Sequence, residues 1–150
     1  MKIKTDRFSV QAPADWDAQA GQLEESDSYN VVFEKKFSDK NISRIVLSSA
    51  PSLFPTEETL KSEELWDMSL EAIDKFFEHP VQDPEMIWID EVECLAADFN
   101  FEIADEVVGG EIIMAFNNDY EHMFIAMSSV GYMEETLNTF YDLIDSLNWT

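Results

Sequence analysis

The chain has 150 residues, with 9 Lys+Arg against 32 Asp+Glu, a formal net charge of −23 and a pI near 4.1. One domain spanning 1–150 is expected at this length. Its 45% hydrophobic residues, with 11 Phe, 4 Trp and 4 Tyr, supply the packed core that a disordered chain of similar charge lacks. The acidity excludes the basic footprint of a nucleic-acid binder and opposes direct docking on anionic membranes.

The charge is uneven. Residues 1–75 carry all 9 Lys and Arg and 15 Asp/Glu, net −6, while residues 76–150 carry 17 Asp/Glu and no Lys or Arg, net −17. Such a surface serves either plain solubility or a meeting with a basic partner. Cys94 is the single cysteine, which excludes an intramolecular disulfide and suits a reducing compartment. The N-terminal Met1-Lys2-Ile3-Lys4-Thr5-Asp6-Arg7 has no apolar core of a signal peptide. No stretch approaches the ~20 apolar residues of a membrane span. A cytoplasmic protein is therefore expected.

Taken in order, residues 3–12 predict a strand, broken by Pro13-Ala14-Asp15-Trp16. Residues 17–28, small and polar, predict a loop. Residues 29–37 and 42–49 predict two strands joined by the turn residues Ser38-Asp39-Lys40-Asn41. An amphipathic helix is predicted over 56–78, with Thr56 as N-cap and Leu60, Trp66, Leu70, Ile73 and Phe77 as its apolar stripe. Residues 86–92 predict a strand. Phe99, Phe101 and Ile103 then alternate with Asp98, Asn100 and Glu102, and a turn or bulge is expected between Ala104 and Gly109-Gly110. Strands at 112–116 and 120–129 flank the turn Asn117-Asn118-Asp119, and a last helix covers 133–147. The expected class is α+β: an antiparallel sheet of about six to seven strands with two flanking helices, in the order β-β-β-α-β-β-β-β-α.

Catalytic signatures are not matched. Gly109-Gly110 is no phosphate loop, and His79 and His122 stand in no H-E-x-x-H arrangement. Three Cys and His residues are too few for the usual zinc sets. Asn117-Asn118-Asp119-Tyr120-Glu121 lacks the glycine of a calcium loop. Glu93 beside Cys94 disfavours a thiolate nucleophile, so Cys94 reads as a buried strand residue. Neither a catalytic residue nor a cofactor is expected. Asp98 and Glu102 share one strand face, with Glu111 and Glu121 placed to join it from neighbouring strands. Unneutralised cross-strand carboxylates cost stability, a cost tolerated for solubility or for a basic partner.

Phe8-Ser9-Val10, Pro13 and Trp16 at the start, and Phe140-Tyr141-Asp142-Leu143-Ile144-Asp145-Ser146-Leu147 at the end, resemble the opening and closing motifs of the PsbP/DcrB-like superfamily. The superfamily commonly has Gly before the Trp, where this chain has Asp15. The resemblance implies the same α+β fold and a non-enzymatic binding role. That fold is shared with a Ran-binding nuclear-import factor and with Eag-type chaperones of type VI secretion effectors. No partner-binding motif of any branch matches residue by residue.

Two functions follow as expectations. The first is an acidic protein-binding module of the immunity or antitoxin type, blocking a basic surface of a partner toxin through Asp98, Glu102, Asp105, Glu106, Glu111 and Glu121. The second is an Eag-like chaperone or adaptor holding an apolar segment of a secreted effector in a groove edged by Met86, Trp88, Met114, Met123 and Met127. A small enzyme or a calcium-binding protein is the third and weakest alternative.

Overall fold

The computed structural model describes residues 1–22, 28–51, 67, 70–71, 82–103, 105–117 and 119–150. The strands are β1 (Lys2–Lys4), β2 (Phe8–Gln11), β3 (Asp17–Gln22), β4 (Tyr29–Lys36), β5 (Ile42–Pro51), β6 (Gln82–Ile89), β7 (Val92–Ile103), β8 (Glu106–Asn117), β9 (Tyr120–Ser129) and β10 (Asn148–Trp149). A 3₁₀ turn at Val130–Tyr132 leads into the helix α1 (Met133–Asp145). Seven strands form one sheet in the order β3-β4-β5-β9-β8-β7-β6, and β1-β2-β10 form a small second sheet. Every recorded pairing is antiparallel. The predicted α+β class and antiparallel sheet are therefore present.

One face of the large sheet packs against α1 and the small sheet. Val31, Phe33, Ile45, Leu47, Cys94, Ala96, Ile113, Ala115, Phe124 and Ala126 meet Phe8 and Val10 from β2, and Phe140, Leu143 and Ile144 from α1. The other face carries Leu95, Ala97, Phe99, Ile112 and Met114, with Leu70 packed on them. Strands β7 and β8 are thus apolar on both sides, which explains the unbroken runs Leu95-Ala96-Ala97 and Ile112-Ile113-Met114-Ala115. Strand β9 alternates, burying His122, Phe124, Ala126 and Ser128.

Several expectations are corrected. Residues 3–12 form two strands, because the Thr5 hydroxyl accepts the N–H groups of Arg7 and Phe8 and turns the chain between β1 and β2. Residues 17–22 are not loop but the edge strand β3, held by its backbone ladder to β4 rather than by an apolar pattern. Strand β6 ends at Ile89, and Asp90-Glu91 forms a tight turn with φ of 45° and 69° before β7 begins. The expected turn after β7 includes Asp105, at φ 66°, while Gly109 and Gly110 lie in register inside β8. Helix α1 stops at Asp145, and Asn148–Trp149 adds a short strand. The strands therefore outnumber the expected order. Of the predicted helix 56–78, Asp67, Leu70 and Glu71 are helical; its other residues lie outside those described.

Asp15, just before Trp16, takes φ 65°. Aspartate tolerates that left-handed conformation better than most residues. Gly110 is fixed by crowding instead: a Cβ there would stand 1.7 Å from the Ala126 carbonyl oxygen. Gly110→Ala is expected to lower stability by about 3 kcal/mol, the upper end of overpacking costs. Gly131→Ala, where nothing lies within 4 Å, should stay within about 0.5 kcal/mol. Urea unfolding of both variants measures the difference.

Candidate functional site

The register fixes where the carboxylates lie. Asp98 of β7 stands directly opposite Glu111 of β8. Both alternate onto the face that carries α1. Helix α1 reaches this row through Tyr141, whose hydroxyl hydrogen-bonds Glu111. Beyond Tyr141 the helix no longer covers the sheet, and Asp98, Asn100 and Glu102 are exposed. Glu85 of β6, paired with Ala96, lies within electrostatic reach of Asp98, Glu111 and Tyr141, and Asp83 of Asp98. The result is a shelf on β6, β7 and β8 with exposed carboxylates on its rim and Glu111 in its floor.

Glu111 is only 7% exposed, and its Oε2 has no hydrogen-bond partner. Burial, offset in part by the Tyr141 hydrogen bond and reinforced by Asp98 and Glu85, pushes its carboxyl above the usual range. Asp98 moves the same way, through its partial desolvation and the charges of Asp83 and Glu85. The Tyr141 hydroxyl rises in turn, from desolvation and from its hydrogen bond to Glu111. No described Lys or Arg forms an ion pair with the shelf. The described ion pairs lie elsewhere: Arg44–Glu34 at 2.7 Å, Lys35–Glu135 at 2.9 Å, Lys36–Asp39 at 3.3 Å and Arg7–Asp6 at 3.7 Å.

The six expected partner residues do not form one surface. Asp98, Glu102 and Glu111 share the shelf, and Asp105 sits exposed at the β7–β8 turn. Glu106 pairs with Ile103 and lies on the opposite face. Glu121 also belongs there, opposite Ala50 and Phe116, against the expectation that it would join Asp98. It borders a cavity of about 240 Å³ with Asn30, Ser48, Met114 and Met123. Glu85, Asp83 and Tyr141 are shelf residues that the sequence reading missed. Alternation from Glu85 and the Asp83-Pro84 step was their only available signal.

The reactive residues are enclosed. Cys94, Ala115, His122 and Ser49 form one row across β7, β8, β9 and β5. Two strand spacings, roughly 10 Å, separate Cys94 from His122, and burial pushes the Cys94 thiol up to about 12. His122 is 2% exposed, ringed by Phe8, Phe124 and Trp149, and donates to the Asn117 carbonyl. Desolvation, with the Arg7 charge, lowers its pKa to about 4. Among the described residues no group of three Asp, Glu, His or Cys side chains is arranged to hold a metal ion, and no helix is long and apolar enough to cross a membrane.

These shifts have opposite consequences in acid. The fold keeps His122 neutral, so its contribution is complete above the unfolded pKa of 6.5 and is lost as pH falls towards about 4, a change of about 3 kcal/mol. Glu111 is destabilising while ionised, and protonates in the fold before it does in the unfolded chain, so acidification first relieves it. His122→Gln is therefore expected to flatten the loss of unfolding free energy between pH 7 and pH 4. Glu111→Gln should raise stability at pH 8 and lose that advantage below pH 4.5. Denaturant titrations across this pH range read both effects.

No protein-family model matches this sequence, and no curated protein does. Solved structures do match in fold. Cyanobacterial PsbP (CyanoP) from Synechocystis superimposes with a TM-score of 0.65 at 11% identity, over 100% of this chain and 92% of that one. LpqN of Mycobacterium tuberculosis, involved in cell envelope biogenesis, gives 0.64 at 7% identity over 95% and 83%. A Bacteroides thetaiotaomicron protein gives 0.58 at 12% identity over 95% of this chain, which spans about half that protein, 45%. At such identities the likeness is one of backbone architecture, and the fold of this chain is the PsbP-like α+β fold.

Proposed function

We propose that the chain is a non-enzymatic protein-binding module of the immunity or antitoxin type, whose acidic β6–β8 flank blocks a basic surface of a partner toxin. The observation that supports this reading is the direct opposition of Asp98 and Glu111, with Glu85 and Asp83 beside them and no described cation to neutralise them. Folding gains nothing from that arrangement, because opposed like charges repel. A basic surface would relieve the repulsion on docking, and complementary charge would speed the encounter. Glu102 and Asp105 extend the flank towards the β7–β8 turn. The single cysteine fits action in the reducing cytoplasm.

A second reading rests on the opposite face. Met86, Trp88, Met114, Met123 and Met127 all alternate onto it, and Trp88 is 60% exposed. Methionine and tryptophan suit an adaptable apolar contact, as an Eag-like chaperone for a secreted effector would require.

Affinity capture from the source cell at low and high salt, followed by identification of the retained protein, separates the two. For the first reading, the partner arrests growth when expressed alone, and co-expression of this chain restores growth. The triple variant Asp98→Lys, Glu102→Lys, Asp105→Lys should lose at least a hundredfold in affinity and fail to restore growth. Capture that is indifferent to salt and to this variant, yet abolished by Met86→Asp with Trp88→Asp, would instead support the chaperone.

A further inference from the structure

We infer that Glu111 forms the floor of a socket for a single arginine side chain of the partner, closed on its sides by Asp98, Glu85 and Tyr141. The inference rests on the basic-partner reading above and deepens it, from a charged surface to one anchoring group.

The starting point is an incompletely bonded buried carboxylate. A buried acceptor without a donor costs on the order of 1–3 kcal/mol, and more when charged. Glu111 carries such an oxygen: the residue is 7% exposed, Tyr141 supplies one hydrogen bond, and Oε2 receives none. The same carboxylate faces Asp98 across the β7–β8 ladder, where opposed Cβ atoms stand about 5 Å apart. Glu85 lies close enough to act electrostatically on Glu111, Asp98 and Tyr141 together. The sheet and α1 therefore enclose a carboxylate oxygen that lacks a donor, directly beside the exposed carboxylates of Asp98 and Glu85.

Three classes of occupant meet such a site differently. A hard metal ion requires three or more ligands already converging, and the described residues offer no such group. A proton shared between Asp98 and Glu111 removes charge but leaves the other carboxylates of the shelf opposed. A guanidinium presents five N–H donors in one plane and bridges two carboxylates in a geometry that a lysine ammonium does not reproduce. Tyr141 is 43% exposed and meets Glu111 through its hydroxyl, so its aromatic ring is available to the flat face of such a group.

The test uses the folded chain and a short peptide, acetyl-Gly-Arg-Gly amide, with its lysine and citrulline counterparts. Side-chain carboxyl carbon NMR follows Glu111, Asp98 and Glu102 during titration. The arginine peptide should give a saturable shift largest at Glu111, with at least fivefold weaker binding of the lysine peptide and no shift with citrulline. Glu111→Gln should weaken binding at least tenfold, and Glu102→Gln, on the same face but exposed, less than twofold. Equal shifts at Glu102 and Glu111, equal affinity for lysine, or unchanged binding by Glu111→Gln would overturn the socket. Should Glu111→Gln leave partner capture intact while the triple lysine variant abolishes it, the socket falls and the acidic-flank reading stands. Loss of neither would remove both.

Discussion

Phe8 of β2, Phe124 of β9 and Trp149 of β10 meet around the buried ring of His122, and this aromatic knot fastens both ends of the chain to the central sheet. Phe8 and Phe124 pack edge to face at 5.6 Å, and Trp149 lies 4.7 Å from the His122 ring and 6.2 Å from Phe124. The Trp149 indole N–H donates to the Ile89 carbonyl at 2.8 Å, and its backbone N–H to Asp90 at 3.2 Å. Thus β10, β2 and the β6–β7 turn are held in one assembly. Helix α1 is trapped between them, with Ser146 accepting the Gln11 N–H and donating to the Leu143 carbonyl. The shelf exists because this arrangement places Tyr141 over β8 and leaves β7 and β6 uncovered beyond it.

Burial of this kind has to outweigh considerable self-repulsion. Some of the acidity has a conformational reason. Among the described residues, the non-glycine ones with positive φ are Asp15, Asp83, Asp90, Glu91, Asp105 and Asp119, and no glycine has positive φ. Aspartate thus occupies turn positions, and in β6 an irregular strand position, where glycine is the commoner choice. Glu134 and Glu135 sit in the first turn of α1, where negative charge suits the helix dipole. Asp98 and Glu111 have neither reason: they lie mid-strand, opposite one another. The acidic residues therefore divide into those that shape the backbone and those that the fold merely tolerates.

The sequence disclosed the sheet where side-chain pattern and turn chemistry agree. Strand β9 alternates cleanly, and Ser38 to Asn41 closes the β4–β5 hairpin through backbone bonds between Phe37, Ser38 and Asn41. Strand β3 was hidden because Asp17-Ala18-Gln19-Ala20-Gly21-Gln22 has no apolar period and is an edge strand specified by its partner. The Asp90-Glu91 turn was hidden because Glu rarely adopts a left-handed conformation. At the site, Asp98 and Glu102 were legible from alternation along one strand. The burial of Glu111 was not, since it depends on the β7–β8 register and on Tyr141, thirty positions later. Glu121 was misplaced because its face follows from the β8–β9 register rather than from its own neighbours.

The described lysines and arginines all belong to β1, β4, β5 and their adjoining turns, whereas β6 to β9 and α1 contain none. Because β3, β4 and β5 lie at one margin of the large sheet and β8, β7 and β6 at the other, the separation produces an electric moment lying in the plane of the sheet. A protein with such a moment does not present itself at random to a charged neighbour. Within about one Debye length of a basic neighbour, ~8 Å at physiological salt, the torque turns its negative margin forward before any contact forms.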